Sequence, residues 1–149
     1  MIVKLEHDLL AETIEVNIKY SEMNRDVERI IAILQSTSTR IKCSHEGRDK
    51  FIKISDVYYF ESVDKMTFVY CEKDVYRTEL RLYQIVEDYA RFGFVQISKS
   101  CILNINVLDS ITTLFNSRME ATLKNTERVY VTRKYLESIK KALQEEVQS

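Results

Sequence analysis

Apolar and polar residues alternate over the first part of the chain. Ile14, Val16, Ile18 and Tyr20 are separated by polar residues, and this period of two is typical of a half-buried strand. The segment Ile2 to Leu5 is a suitable partner strand. The pattern therefore predicts an amino-terminal β-hairpin.

The period changes after Ser21. Apolar residues between Val27 and Leu34 recur at i, i+3, i+4 and i+7, which places them on one face of a helix, with Ser21 or Asn24 available as its N-cap. The small polar residues 36–39 interrupt this pattern. We therefore expect the main boundary of the chain between about Ser36 and Ser44.

Short apolar runs follow at close intervals, rich in β-branched and aromatic residues. The run Glu46–Asp49 contains one of only two glycines and is typical of a hairpin turn. Two helices interrupt the strands: one ends before Gly93, and a terminal one has Thr132 as its expected N-cap. The predicted strands are 41–44, 51–54, 57–61, 67–71, 75–80, 94–97, 111–115, 119–123 and 128–131, and the predicted helices are 82–89 and 136–143.

These elements predict a mainly β protein, α+β overall, with small antiparallel sheets and short helices. We divide it into residues 1–43, a β-β-α segment with a role in dimerisation or regulation, and residues 44–149, which carry the dense strands.

Composition narrows the functional classes. With 45% hydrophobic and 30% charged residues, the chain is in the range of globular proteins. We find neither a secretory signal nor an apolar run long enough to cross a bilayer, so we expect a cytoplasmic protein without direct membrane insertion.

Residues suited to metal binding or catalysis do not form a recognisable arrangement. Cys43, Cys71 and Cys101 lack Cys-x-x-Cys spacing, and neither His7 nor His45 is placed to complete a zinc site, so we expect buried, reduced thiols and no metal. A glycine-rich phosphate loop is also absent from the sequence. The sequence predicts no catalytic residue, no cofactor and no enzymatic activity.

The formal net charge of -1 hides an uneven distribution. Residues 91–149 contain nine Lys/Arg against six Asp/Glu and carry +3, so the remainder carries -4. A basic face on an acidic body is one interpretation, although a solvated surface of mixed charge is the commoner outcome.

Basic and hydroxyl side chains collect in three segments at the ends of predicted strands: 64–67, 98–100 and 132–134. In the third, Arg133 and Lys134 fall at a predicted helix start, where cations oppose the helix dipole and an anionic partner would favour them. Arginine pairs well with guanine, whereas a lysine between two serines suits phosphate oxygens. Taken singly, each cation is more simply interpreted as solvated surface.

Three ordered motifs resemble the LytTR (LytR/AlgR-type) DNA-binding domain. They are Ile54–Glu61 with the following Asp64–Lys65, Phe94–Asn104, and Val129–Tyr135. The resemblance covers roughly residues 44–143. The whole chain is similar to stand-alone members that lack a receiver domain.

The resemblance implies an elongated fold whose loops enter successive major grooves of double-stranded DNA and bend the duplex. It places base or adjacent backbone contacts on Thr67, Lys99 and Arg133, and a structural role on Asn104. It also implies a homodimer on repeated half-sites. The supporting phosphate contacts would be Lys65, Ser98, Ser100 and Lys134.

Two alternatives remain at this point. In the first, the chain is a non-enzymatic interaction module whose amino-terminal hairpin and helix recruit a signalling or membrane-protein partner, and DNA is not bound. In the second, that segment mediates self-association of a DNA-binding protein.

Overall fold

The computed structural model describes residues 1–147, with side chains up to residue 144, and it confirms a mainly β fold with a few short helices. The helices are α1 (Arg25–Ser38), α2 (Leu82–Tyr89) and α3 (Leu136–Val147). The strands are β1 (Arg40–His45), β2 (Arg48–Lys53), β3 (Val57–Val63), β4 (Met66–Cys71), β5 (Val75–Thr78), β6 (Phe94–Ser98), β7 (Cys101–Asn104), β8 (Leu108–Thr113), β9 (Met119–Leu123) and β10 (Arg128–Val131).

The strands form two antiparallel sheets. The larger has the order β2-β1-β5-β4-β3-β7-β6, and the smaller has the order β10-β9-β8. Short 3-10 turns connect several strands and helices; they are Ile54–Asp56, Ala90–Phe92, Ile105–Val107, Phe115–Ser117 and Arg133–Tyr135.

Two apolar clusters lie on opposite faces of the large sheet. Phe60 and Ile102 belong to the cluster that also contains Ile85 of α2, whereas Leu103 belongs to the cluster that contains Ile139 of α3. Adjacent residues of β7 thus contribute to different clusters, as the alternation of side chains across a strand requires. Helices α1 and α2 cover one face, and the small sheet and α3 cover the other.

The predicted amino-terminal hairpin is wrong. Residues 1–24 contain no helix or strand; within them, the Ala11 N–H donates to the Asp8 carbonyl in a turn. The alternating residues have no sheet to pack on, and Ile14 is 94% exposed. A two-stranded hairpin without a covered face is at best marginally stable in water, so alternation alone did not suffice here.

The predicted helix is confirmed and is longer than expected. The side chain of Asn24 accepts a hydrogen bond from the Val27 N–H at 3.0 Å, so Asn24 is the N-cap. The polar residues that were expected to end the helix continue it, and their hydroxyls donate to carbonyls three residues earlier. Strand β1 then runs through the predicted boundary at residue 43, so the division into two units stays a prediction.

Two further local predictions differ from the structure. Strand β7 was not predicted as a strand, because its four residues are all buried and show no alternation. Thr132 does not cap α3: a 3-10 turn intervenes, and the Thr132 hydroxyl contacts the Ile97 carbonyl instead. Gly93 does terminate its helical segment, in the left-handed region at φ +93°.

Candidate nucleic-acid interface

The three predicted loops lie at the same end of the sheets. Strand β3 is antiparallel to both β4 and β7, so its carboxyl end adjoins the turn 64–65 on one side and the turn 99–100 on the other. The end of β10, just before residues 132–134, lies beside the end of β6. Sheet topology therefore brings together segments that are up to 70 residues apart in the chain.

Backbone hydrogen bonds connect these loops with the strand ends beside them. The Ser62 N–H donates to the Ser100 carbonyl at 2.8 Å, which joins the end of β3, just before the first loop, to the second loop. The Thr132 N–H donates to the Ile97 carbonyl at 2.9 Å, which joins the third loop to the end of β6, just before the second loop. The loops thus form a connected row held by the sheets, rather than three independent segments.

A fourth loop, Leu114–Arg118 between β8 and β9, extends this row; the sequence predicted a turn between two strands here but no part in the site. Arg133 donates from Nη2 to the Asn116 carbonyl at 3.3 Å. Asn116 and Ser117 both have left-handed backbone angles, which turn the chain sharply and leave Phe115 92% exposed. No motif marks this loop in the sequence; its position between two short strands was the available signal.

The first loop is a tight turn with Asp64 and Lys65 at φ +50° and +65°. Such angles suit a two-residue hairpin, because they match the twist of the flanking strands. The Lys65 carbonyl accepts a hydrogen bond from Arg81 Nη1 at 2.8 Å, so a second exposed cation is fixed beside Lys65. Arg81 was not identified from the sequence; it lies 16 residues after Lys65 in the chain.

Thr67 is not at the surface of this row. It lies in β4, two residues before the fully buried Val69, and its own exposure is 4%. Because residues i and i+2 of a strand point to the same face, Thr67 shares the covered face of the sheet with Val69. The base contact predicted for Thr67 is therefore incompatible with its burial in this structure.

The other predicted residues are accessible. Lys65, Lys99 and Ser100 are exposed and Ser98 is partly exposed, with the Ser98 hydroxyl accepting from the Ser100 N–H at 3.3 Å. The row carries six exposed cations, and among the residues that the structure describes none of them forms an ion pair with a carboxylate. These six are Lys65, Arg81, Lys99, Arg118, Arg133 and Lys134.

Carboxylates are concentrated at the opposite end of the sheets. The Asn125 side chain donates to the Glu72 carbonyl at 3.0 Å, which places the β9–β10 turn beside the β4–β5 turn. Burial raises the pKa of Tyr58, and the carboxylates of Glu72 and Glu127 at this end raise it further. The two ends of the sheets therefore differ in electrostatic character.

Asn104 has the structural role expected for it. It is 2% exposed; its Nδ2 donates to the Val57 carbonyl at 2.8 Å, and its Oδ1 accepts from the Asn106 N–H at 3.0 Å. The side chain thus joins β7 to the start of β3 and orders the turn that follows.

The cysteines are free thiols, as predicted. Cys43 and Cys101 are buried and Cys71 is partly buried. Burial raises the pKa of all three, to about 11 for Cys43 and about 12 for the other two. Within the described residues, no group of three or more His, Cys, Asp and Glu side chains is placed to hold a metal ion, and no helix is long and apolar enough to cross a membrane.

Curated proteins with similar sequences align with most of the chain. An uncharacterised HTH-type transcriptional regulator of Staphylococcus aureus strain NCTC 8325 is 27% identical over 130 residues, which are 86% of this chain and 88% of the relative. A protein of the same description from the bovine strain RF122 is 28% identical over the same shares. In the described part of this chain, strands separate the three α-helices, so they do not form a helix-turn-helix.

A solved structure shows the same fold. The LytTr DNA-binding domain of a protein described as a methyl-accepting/DNA response regulator from Bacillus cereus superposes with a TM-score of 0.67 at 24% identity, covering 70% of this chain and 96% of that one. The family model of the LytTr DNA-binding domain matches residues 47–144, which include all four loops and most of the two sheets. The chain therefore belongs to the LytTR DNA-binding domain family.

Proposed function

We propose that this protein is a sequence-specific transcription regulator that places the row of four loops against duplex DNA. The observation that carries the proposal is the row itself: loops joined by hydrogen bonds present six cations without carboxylate partners among the described residues. Unpaired cations at one end of a rigid scaffold match the regular negative charge of a phosphate backbone. The names of the relatives support a regulatory role, because they describe transcriptional regulators.

Arg133 is the residue that we assign to base recognition. Its guanidinium has five N–H donors, and the bond to the Asn116 carbonyl uses one of them. That bond holds the side chain in position while other donors remain available for the O6 and N7 acceptors of a guanine. Lys99, at the tip of the neighbouring turn, contacts a base edge or the adjacent backbone.

The remaining residues contact phosphates. Lys65, Lys134 and the serines at 98 and 100 supply ammonium and hydroxyl donors, which fix the register of the protein on the duplex without reading sequence. We add Arg81 and Arg118 to this set because of their place in the row. Entry of the loops into successive major grooves, with bending of the duplex, completes the proposal.

The test begins with duplexes selected from a random pool, followed by fluorescence anisotropy on one selected and one scrambled duplex. Replacing Arg133 by Ala is expected to cost about 1 to 3 kcal/mol on the selected duplex and to relax preference at one base pair. Replacing Lys134 by Ala is expected to weaken both duplexes equally. The matched control is Lys73→Ala, an exposed cation at the opposite end of the sheets.

Equal losses on both duplexes for Arg133→Ala would refute its base-reading role. Absence of any binding by the unaltered protein at low salt would refute the proposed function. A membrane-protein partner for the amino-terminal segment stays a prediction.

A further inference from the structure

The first 22 residues, which we name the arm, expose an unusual amount of apolar surface. Monomeric proteins seldom leave large contiguous apolar areas in water, so such a segment indicates a missing contact. Nine large hydrophobic side chains of the arm are between 51% and 100% exposed. They are Met1, Ile2, Val3, Leu5, Leu9, Leu10, Ile14, Val16 and Tyr20.

A groove that runs along most of α1 offers a matching surface. It has a volume of about 970 Å³ and runs between α1, the end of α2 and α3. Ile31 and Ala32 line it from α1, Phe92 from the turn after α2, and Ala142 from α3. Val95 of β6 also lines the groove, and β6 is an edge strand of the large sheet.

The arm of a chain does not fill its own groove. Met23 lines the groove, so the arm departs from its rim. Yet Ile14, Val16 and Tyr20, close to that rim in sequence, are 94%, 57% and 51% exposed. Within one chain both surfaces are therefore left uncovered.

We propose that the groove binds the arm of a second copy of this chain, in a reciprocal exchange that makes a dimer. Apolar residues alternate over positions 14–20, so an extended segment presents one apolar face to the groove while its backbone lies beside the edge of β6. A two-fold exchange uses the same two surfaces twice and leaves neither uncovered.

Charge supports this pairing. The arm contains five carboxylates and two lysines. Among the described residues that line the groove, Arg25 and Arg91 are basic and Glu28 is acidic, and Arg29 has a partner of its own. An acidic arm thus meets a lining in which arginines outnumber acids, whereas two arms alone would repel each other.

None of the six cations of the loop row lines the groove, so dimerisation by this route leaves the proposed DNA contacts accessible.

Sedimentation velocity without DNA tests the proposal on the full chain. We expect the unaltered protein to sediment with twice the 17.6 kDa mass of one chain. The double change Ile14→Asp with Val16→Asp should give monomers. A separate variant, Ile33→Asp, changes a half-exposed residue with which α1 lines the groove, and it should also be monomeric. Tyr83→Asp, at a side chain that is 69% exposed and does not line the groove, should remain dimeric. A monomeric unaltered protein, or a dimeric arm variant, would overturn the proposal.

Cross-linking distinguishes exchange between chains from folding of the arm onto its own groove. A chain carrying Ile14→Cys is mixed with one carrying Ile33→Cys and treated with a bismaleimide at neutral pH. The native thiols should react slowly, because burial raises the pKa of Cys43 to about 11 and those of Cys71 and Cys101 to about 12. We expect a covalent dimer from the mixture. A third sample, in which one chain carries both changes, provides the contrast. If that chain is cross-linked only within itself and the mixture gives no covalent dimer, the exchange is contradicted. Because DNA is absent, either result is independent of the proposed function.

Discussion

The two ends of the paired sheets are built from the same strands but differ in charge. At the loop end, the segments 64–66, 98–100, 114–118 and 132–134 contain five cations and one carboxylate. At the opposite end, the turns at 46–47, 72–74 and 124–127 contain four carboxylates and two lysines. A chain with a net charge of only -1 thus separates its charges over the length of a strand.

This difference shows why charge counted along the sequence was a weak guide. Lys65 and Arg81 come from the acidic part of the chain and lie at the basic end, whereas Lys124 comes from the basic part and lies at the acidic end. Antiparallel pairing returns the chain to each end repeatedly, so loops from all parts of the sequence meet there. The ends of the sheets, and not the halves of the chain, are the electrostatic units.

Charge reversal gives the largest expected effect. Lys99→Glu combined with Arg133→Glu should reduce affinity for a selected duplex by at least about 100-fold, because two contacts are lost and two repelling carboxylates are added. The measurement is anisotropy at constant salt. Lys73→Glu combined with Lys124→Glu is the matched control at the acidic end, and an equal loss there would remove the distinction between the two ends.

Stability is expected to depend on Asn104 more than on comparable amides elsewhere. Asn104→Ala leaves the buried Val57 carbonyl without its donor and should lower the free energy of unfolding by about 1 to 3 kcal/mol. Urea denaturation followed by circular dichroism measures this change. Asn125→Ala removes an exposed hydrogen bond at the acidic end, and a loss as large as that of Asn104→Ala would contradict the structural role of Asn104.

The salt dependence of DNA affinity measures the contribution of Arg81, a cation that was not identified from the sequence. Each phosphate contact contributes about 0.9 to the slope of log affinity against log salt concentration. Arg81→Ala should therefore reduce that slope by about 1 while preserving sequence preference. An unchanged slope would exclude Arg81 from the phosphate contacts.

Thr67 gives the smallest expected effect. Because its side chain is buried, Thr67→Val should leave DNA affinity within about twofold, provided that the variant unfolds at the same urea concentration. Anisotropy on the selected duplex measures this. A large loss of affinity without a loss of stability would restore the base contact that the sequence predicted.

Sequence patterns predicted most of the strands of the two sheets and the three loops marked by motifs. Thr67 could not be placed correctly, because its neighbours in the turn are exposed and the face it takes is set by the pairing of β4 with β3 and β5. The fourth loop has no motif, and its position depends on how the small sheet packs. The alternating pattern of the arm was interpreted as a hairpin. Such a pattern indicates that one face packs against an apolar surface, but it does not identify that surface.

The central claim is that DNA contacts the loop end and not the acidic end. Backbone amide shifts measured by NMR during titration with a selected duplex test it directly. We expect the largest changes at residues 64–66, 98–100, 114–118 and 132–134, with little change at 46–47, 72–74 and 124–127. Changes concentrated in the second group, or spread equally over both, would contradict the account.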